Sequence, residues 1–269
     1  MIEHNQIYNE DCLEFMKKLP DNYFDLIITD PPYGIGIGME WKNCESKASK
    51  KKGFNSKILH SKSNWDNSIP TEKCFMEMLR VSKKQIIFGG NYFTDFLSPS
   101  GSWIIWHKKG NDKTHFSDCE MAWVSFGNKI RLFKYDWVGF GYLNNKEREK
   151  KVHPTHKPTK LGEWILDNYA EKGDLIFDPF SGGGSFLVSC KRRGFEFVGC
   201  EINSGYVEIA NKRLAQQSVT DFTSATPTFV SQKEFNMGLE VPTSSPPKLS
   251  PMEITSPNPN YRQFQKPPR

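Results

Sequence analysis

Two acidic residues in this sequence end apolar runs, and each is followed by a turn of unusual composition. Leu26, Ile27 and Ile28 read as a buried strand that breaks at Asp30, Pro31, Pro32 and Tyr33. Two prolines cannot continue a sheet ladder, because each lacks an N–H and holds φ near one value. The turn is therefore stiff, and it presents a carboxylate, a fixed backbone carbonyl and an aromatic ring together.

The second turn runs from Asp178 to Phe186, DPFSGGGSF. Gly182, Gly183 and Gly184 let the backbone approach a ligand closely and start a helix whose first N–H groups face it. Glu201 lies at the end of the next apolar run, 23 residues after Asp178, where an acid can accept both hydroxyls of a ribose. A nicotinamide site would need a third glycine at position 187, which is Leu187. The pattern therefore points to an adenosine-bearing cofactor without a pyrophosphate, and S-adenosylmethionine fits it.

The elements that must hold these turns alternate between strand and helix. Short apolar runs at Gln6–Tyr8, Leu26–Thr29, KQIIF, SWIIW, CEMAW, DLIFD and FEFVG read as strands. DCLEFMKKL, TEKCFMEMLRVS, KLGEWILDNYA, FLVSCKRRG and YVEIANKRLAQQ read as helices, with Thr71 as an N-cap and Gly194 as a stop. Alternation of this kind predicts an α/β fold with a mostly parallel sheet covered on both faces. Residues 39–68 are polar and lysine-rich without a period, and read as a long loop. Residues 127–152 read as irregular, aromatic and basic. Nine of the seventeen prolines lie beyond Asp221, so 218–269 reads as a disordered tail appended to a domain spanning 1–217.

The net charge is +5, yet Lys42 to Lys62 holds seven lysines and one acid, Glu45. A +6 segment on a near-neutral body suggests a polyanionic partner. Lys50, Lys51 and Lys52 are its densest part. Arg131, Lys134 and Tyr135 interleave charge and aromatic surface in a way that suits phosphate contact and base stacking. The six cysteines are scattered, which fits free thiols in a reducing compartment rather than a disulfide framework. His153 and His156 lack acidic or thiol companions, so no metal is expected. No apolar run is long enough to span a membrane and MIEHNQIYNEDC has no signal-peptide pattern, which predicts a soluble intracellular chain.

Taken together, DPPY after an apolar strand, then HPTHKP, then DPFSGGGSF resembles the DNA amino-methyltransferases of the β class, in which the catalytic motif precedes the cofactor motif. The resemblance covers roughly Asn5 to Gln217. It implies a Rossmann-like S-adenosylmethionine-dependent methyltransferase fold with a seven-stranded sheet in circularly permuted order. It implies double-stranded DNA as partner, a base flipped out of the stack, and a restriction–modification setting, and it leaves a homodimer possible. Asp30, Pro31, Pro32 and Tyr33 match the catalytic motif. The match implies an exocyclic base amine as nucleophile, with one hydrogen accepted by Asp30 and the other by the Pro31 carbonyl, its lone pair aimed at the sulfonium methyl and its proton leaving after attack. Tyr33 then offers the base a stacking face, worth about 1–3 kcal/mol, and alignment of amine and methyl can supply roughly 7–11 kcal/mol. Asp178, Phe180, Ser181, Gly182, Gly184 and Ser185 match the cofactor loop, and Glu201 its ribose-binding acid. Thr155, His156 and Lys157 match the segment flanking the methionine moiety, and Asp11 a position near the adenine. The usual GSGT is GGGS here, so Gly183 loses a hydroxyl and Ser185 replaces a threonine. An aspartate before P-P-Y is the family's usual choice for adenine N6. Cytosine N4 is the first alternative, methylation of RNA or protein amines by a related site a weaker one, and a degenerate DNA-binding homologue the reading of another class.

Overall fold

A computed structural model of the chain describes residues 2–35, 68–108, 117–135 and 156–216. Its strands are β1 (Gln6–Tyr8), β2 (Phe24–Thr29), β3 (Ser82–Phe88), β4 (Trp103–His107), β5 (Cys119–Val124), β6 (Ile130–Lys134), β7 (Leu175–Asp178) and β8 (Glu196–Cys200). Its helices are α1 (Cys12–Met16), α2 (Glu72–Val81), α3 (Thr159–Tyr169), α4 (Ser185–Arg193) and α5 (Ser204–Ala215). The strands form one sheet in the order β1-β8-β7-β2-β3-β5-β4-β6. Only β5 pairs antiparallel, between β3 and β4.

The sheet has eight strands, where the sequence reading expects seven. The added strand is β6, which lies in the stretch read as irregular and pairs with β4 from Trp103↔Ile130 to His107↔Lys134. As an edge strand it leaves Ile130 and Leu132 more than half exposed. Its alternation is therefore not hydrophobic-in, polar-out, and the period-2 signal is weak.

Both faces of the sheet are covered. Leu26, Ile28, Ile86 and Ile176 pack with Leu161 and Ile165 of α3 and Phe186, Leu187 and Cys190 of α4. Ile27, Ile87, Phe177 and Val198 on the other face pack with Phe15 and Met16 of α1 and Phe75 and Met78 of α2. This explains the unbroken apolar runs of β2 and β7, since strands buried on both faces carry no alternation.

The topology fixes where a ligand can bind. From β2 the chain proceeds through α2 to β3 on one side, and from β7 through α4 to β8 on the other. Parallel crossovers are right-handed, so opposite directions place the two helices on opposite faces. A crevice is left beyond the carboxyl ends of the adjacent strands β2 and β7, at the topological switch point. Asp30 directly follows β2 and Asp178 ends β7.

Candidate active site

A cleft of about 300 Å³ opens at that switch point, within the lower range for small-ligand sites. Asp30 and Pro32 line one end, and Asp178 through Gly183, Ser185 and Phe186 line the other. Asp11, His156, Lys157 and Glu201 line it as well. Asp30 and Pro32 of the first turn thus share one cavity with Asp178, Phe180, Ser181, Gly182 and Ser185 of the second, although 148 positions separate Asp30 from Asp178, while Pro31, Tyr33 and Gly184 do not line it.

Asp30 is held by two donors. The Tyr33 hydroxyl donates to its Oδ1 at 2.5 Å, and Lys157 Nζ donates to its Oδ2. Burial, reinforced by the Glu120 carboxylate, pushes Asp30 above the usual carboxylate range, against the pull of Lys157. Each carboxylate oxygen accepts more than one hydrogen bond, so Asp30 retains acceptor capacity for an incoming amine. The Tyr33 ring stacks on Tyr92 with centroids 5.0 Å apart, and Phe93 meets it edge-on. Tyr33 also needs Gly89: a Cβ there would fall 2.2 Å from the ring, and Gly89 has φ +70°.

The glycine turn is held from inside. Asp178 is buried, and its Oδ1 accepts from Thr29 Oγ1 at 2.8 Å and from the Phe180 N–H at 3.1 Å. The first bond ties β7 to the end of β2, and burial pushes the Asp178 carboxyl up to about 7. Gly184 has φ +73°, and a Cβ there would fall 2.8 Å from Ala210 Cβ on α5. Arg213 of α5 donates to the Gly183 carbonyl and lies 3.3 Å from His156 Nε2. Glu201 Oε2 accepts from the Gly182 N–H at 2.9 Å, and Oε1 from the Asn203 N–H at 2.7 Å. Each oxygen keeps a second lone pair for a hydroxyl donor.

Other expected residues fall in varied places. Asp11 caps α1 by accepting from the N–H groups of Leu13 and Glu14 while lining the cleft. Lys157 stands against Asp30 rather than along the glycine turn. Arg131 and Lys134 are exposed on β6, whereas the Tyr135 ring stacks on Phe133 and packs against the core. Lys50, Lys51, Lys52 and Thr155 lie outside the described residues, as do 136–152, most of the 39–68 loop and the 218–269 tail. Cys12 and Cys200 are buried; the hydrogen-bonding contact with Cys74 and then burial raise the Cys12 thiol, and burial raises that of Cys200, which suits packing rather than nucleophilic chemistry. Among the described residues no cluster of three or more His, Cys, Asp or Glu could hold a metal ion. Among them, too, no helix is long and apolar enough to cross a membrane.

Sequence reasoning missed Gly89, Tyr92, Lys108, Glu120 and Arg213. The glycine pair ending KQIIFGG was a usable signal for Gly89. Tyr92 follows in the turn after Gly89, and Lys108, Glu120 and Arg213 join the site through strand pairing or helix packing, which no local pattern reports.

The fold is the Rossmann-like α/β methyltransferase fold. It resembles the solved PvuII DNA methyltransferase (cytosine-N4-specific) with a TM-score of 0.51 at 15% identity, over 80% of this chain and 88% of that one. Residues 24–212 match the family model of the DNA methylases, N6_N4_Mtase, and the chain belongs to that family. It is 26% identical over 239 residues to the type II methyltransferase M.HpaI of Haemophilus parainfluenzae, covering 76% of this chain and 72% of the relative. It is 24% identical over 240 residues to the type II methyltransferase M2.MboI of Moraxella bovis, covering 77% and 86%.

Proposed function

We propose that this chain transfers the methyl group of S-adenosylmethionine to the N6 amine of adenine at a specific sequence in double-stranded DNA. One observation carries the reading: the Asp30 carboxylate and the glycine turn open into the same cleft. An amine held by one and a methyl donor held by the other would share a single space. The names of M.HpaI and M2.MboI, both type II methyltransferases, support site-specific DNA methylation of a restriction–modification kind.

The residues present fit the cofactor. Glu201 keeps lone pairs for two ribose hydroxyls. Gly182, Gly183 and Ser185 bring bare backbone and the start of α4 to the cleft, where the positive end of the helix dipole suits a carboxylate. His156 and Asp11 border the same space. When bound, S-adenosylmethionine supplies a methyl group on a sulfonium. The chain does the rest. Asp30 and the Pro31 carbonyl orient the amine hydrogens, and the paired prolines hold that carbonyl at little entropic cost. Asp30 then faces the nitrogen as it becomes cationic and takes up the proton it releases. A base inside a duplex cannot reach this turn, so flipping is required. Tyr33, backed by Tyr92, supports its ring. Residues 1–217 form the catalytic unit, and Arg131 and Lys134 on the outer strand, with the lysines of 39–68, contact phosphates.

Adenine is favoured by the aspartate before P-P-Y. The test is duplex DNA of mixed sequence incubated with enzyme and cofactor, then digested to nucleosides. N6-methyladenine is expected. N4-methylcytosine in its place would reassign the base, and no methylated nucleoside would reject DNA methylation and leave the readings of RNA or protein amine methylation and of a DNA-binding homologue.

A further inference from the structure

Behind Asp30 lies a row of charges that the two motifs do not account for. Lys157 is only 5% exposed, and its Nζ donates to Asp30 Oδ2 and lies 3.0 Å from Glu120 Oε2. Glu120 projects from β5 and pairs through Oε1 with Lys108, just beyond β4. The signs alternate along the row: Asp30 negative, Lys157 positive, Glu120 negative, Lys108 positive. We propose that Glu120 is a positioning residue for methyl transfer, acting through Lys157 to hold Asp30 in place and to set the charge beside the acceptor amine.

The physical reason is the charge that develops during transfer. The amine nitrogen becomes cationic as it takes the methyl group, and a lone Lys157 ammonium next to Asp30 would oppose this. Shared between two carboxylates, Lys157 leaves the inner three groups with a net charge of −1, which favours a developing cation. The burial of Lys157 works against its charge, but Asp30 and Glu120 outweigh it and hold the ammonium raised. Burial would raise Glu120 too, yet Lys157 and Lys108 bring it down to about 2. The ionisable groups around Asp30 are Tyr33 from its own turn, Tyr92 after β3, Glu120 from β5, Lys157 before α3 and Asp178 from β7, with Lys108 behind Glu120.

The inference rests on the proposed methyl transfer at Asp30. Its test compares wild type, Glu120→Gln, Lys157→Met and the double variant for methyl transfer from S-adenosylmethionine to duplex DNA. Glu120→Gln should lower kcat about tenfold or more, while KM for the cofactor stays within twofold. Removing a negative neighbour lowers a carboxyl pKa, so the acid limb of the kcat profile should move to lower pH. A merely structural role would not move it. In the Lys157→Met background, Glu120→Gln should add no further loss. Should Glu120→Gln fail to fold, the double variant against Lys157→Met decides the matter alone. Glu120→Gln with kcat and acid limb unchanged, or losses that multiply in the double variant, would overturn the inference while an active wild type leaves the methyl-transfer reading standing. A wild type that transfers no methyl overturns both.

Discussion

The turns after β2 and β7 lie side by side, and each begins from an aspartate, yet the two carboxylates meet different surroundings. Asp30 sits on paired prolines, and its donors are side-chain tips, a tyrosine hydroxyl and a lysine ammonium. Asp178 sits before three glycines, and its donors belong to the fold: Thr29 of the neighbouring strand and the Phe180 backbone. The first is stiff in backbone and held through side-chain donors. The second is permissive in backbone and internally tied. Equivalent places in an α/β sheet therefore give one acid aimed at a reacting atom and one that shapes a ligand-binding loop.

Four substitutions would sharpen or break this contrast. Asp30→Ala has the largest expected effect. Turnover should fall by roughly 10²–10⁴-fold, the range for loss of a positioned proton acceptor, with cofactor affinity kept, as read by calorimetry beside the activity assay. Gly89→Ala comes next. Its methyl would meet the Tyr33 ring at a left-handed φ, so Tyr33 and the Asp30 it donates to must shift. Loss of roughly 10–100-fold in kcat at unchanged cofactor affinity is expected, since misplacement of about 1 Å costs that much. Glu201→Ala should act on the other turn, weakening cofactor binding by roughly tenfold or more for the lost hydrogen bonds to a carboxylate. Saturating cofactor should restore most of the turnover.

The smallest effect is one of stability. Burial pushes the Asp178 carboxyl up to about 7 in the folded chain, above the ordinary aspartate range. A carboxyl raised on folding binds more protons in the native state, so it lowers stability as pH rises through that window. Asp178→Asn keeps an acceptor for Thr29 and Phe180 but cannot ionise. The variant should match wild type in melting temperature near pH 4 and exceed it near pH 8. Equal melting temperatures at both pH values would contradict the buried-acid account. The same carboxyl logic at Asp30, raised by burial, predicts that activity falls on the acid side at a pH above the ordinary carboxylate range.

Much of this was legible in the sequence because punctuation is local. Prolines, glycines and a break in an apolar run mark Asp30–Tyr33 and Asp178–Ser185 without knowledge of the fold, and Gly194 marks the end of α4 for the same reason. The strand β6 escaped because an edge strand with exposed Ile130 and Leu132 lacks the pattern of a half-buried one. The Lys157–Glu120 row escaped for a different reason. HPTHKP marks Lys157 as part of a motif, but only the packing of β5 beside β3, and of β4 beside β5, brings Glu120 and Lys108 behind it. Partners set by sheet order leave no trace in spacing. Tyr33 shows the intermediate case: its ring is plain in the sequence, while its stack on Tyr92 depends on the turn after Gly89.

The division of labour between the two turns is tested most directly by single-turnover methyl transfer to duplex DNA at saturating labelled S-adenosylmethionine. The account predicts that Glu201→Ala recovers to near the wild-type rate, while Asp30→Ala stays slow however much cofactor is supplied. Recovery of Asp30→Ala at high cofactor concentration, or failure of Glu201→Ala to recover, would contradict it.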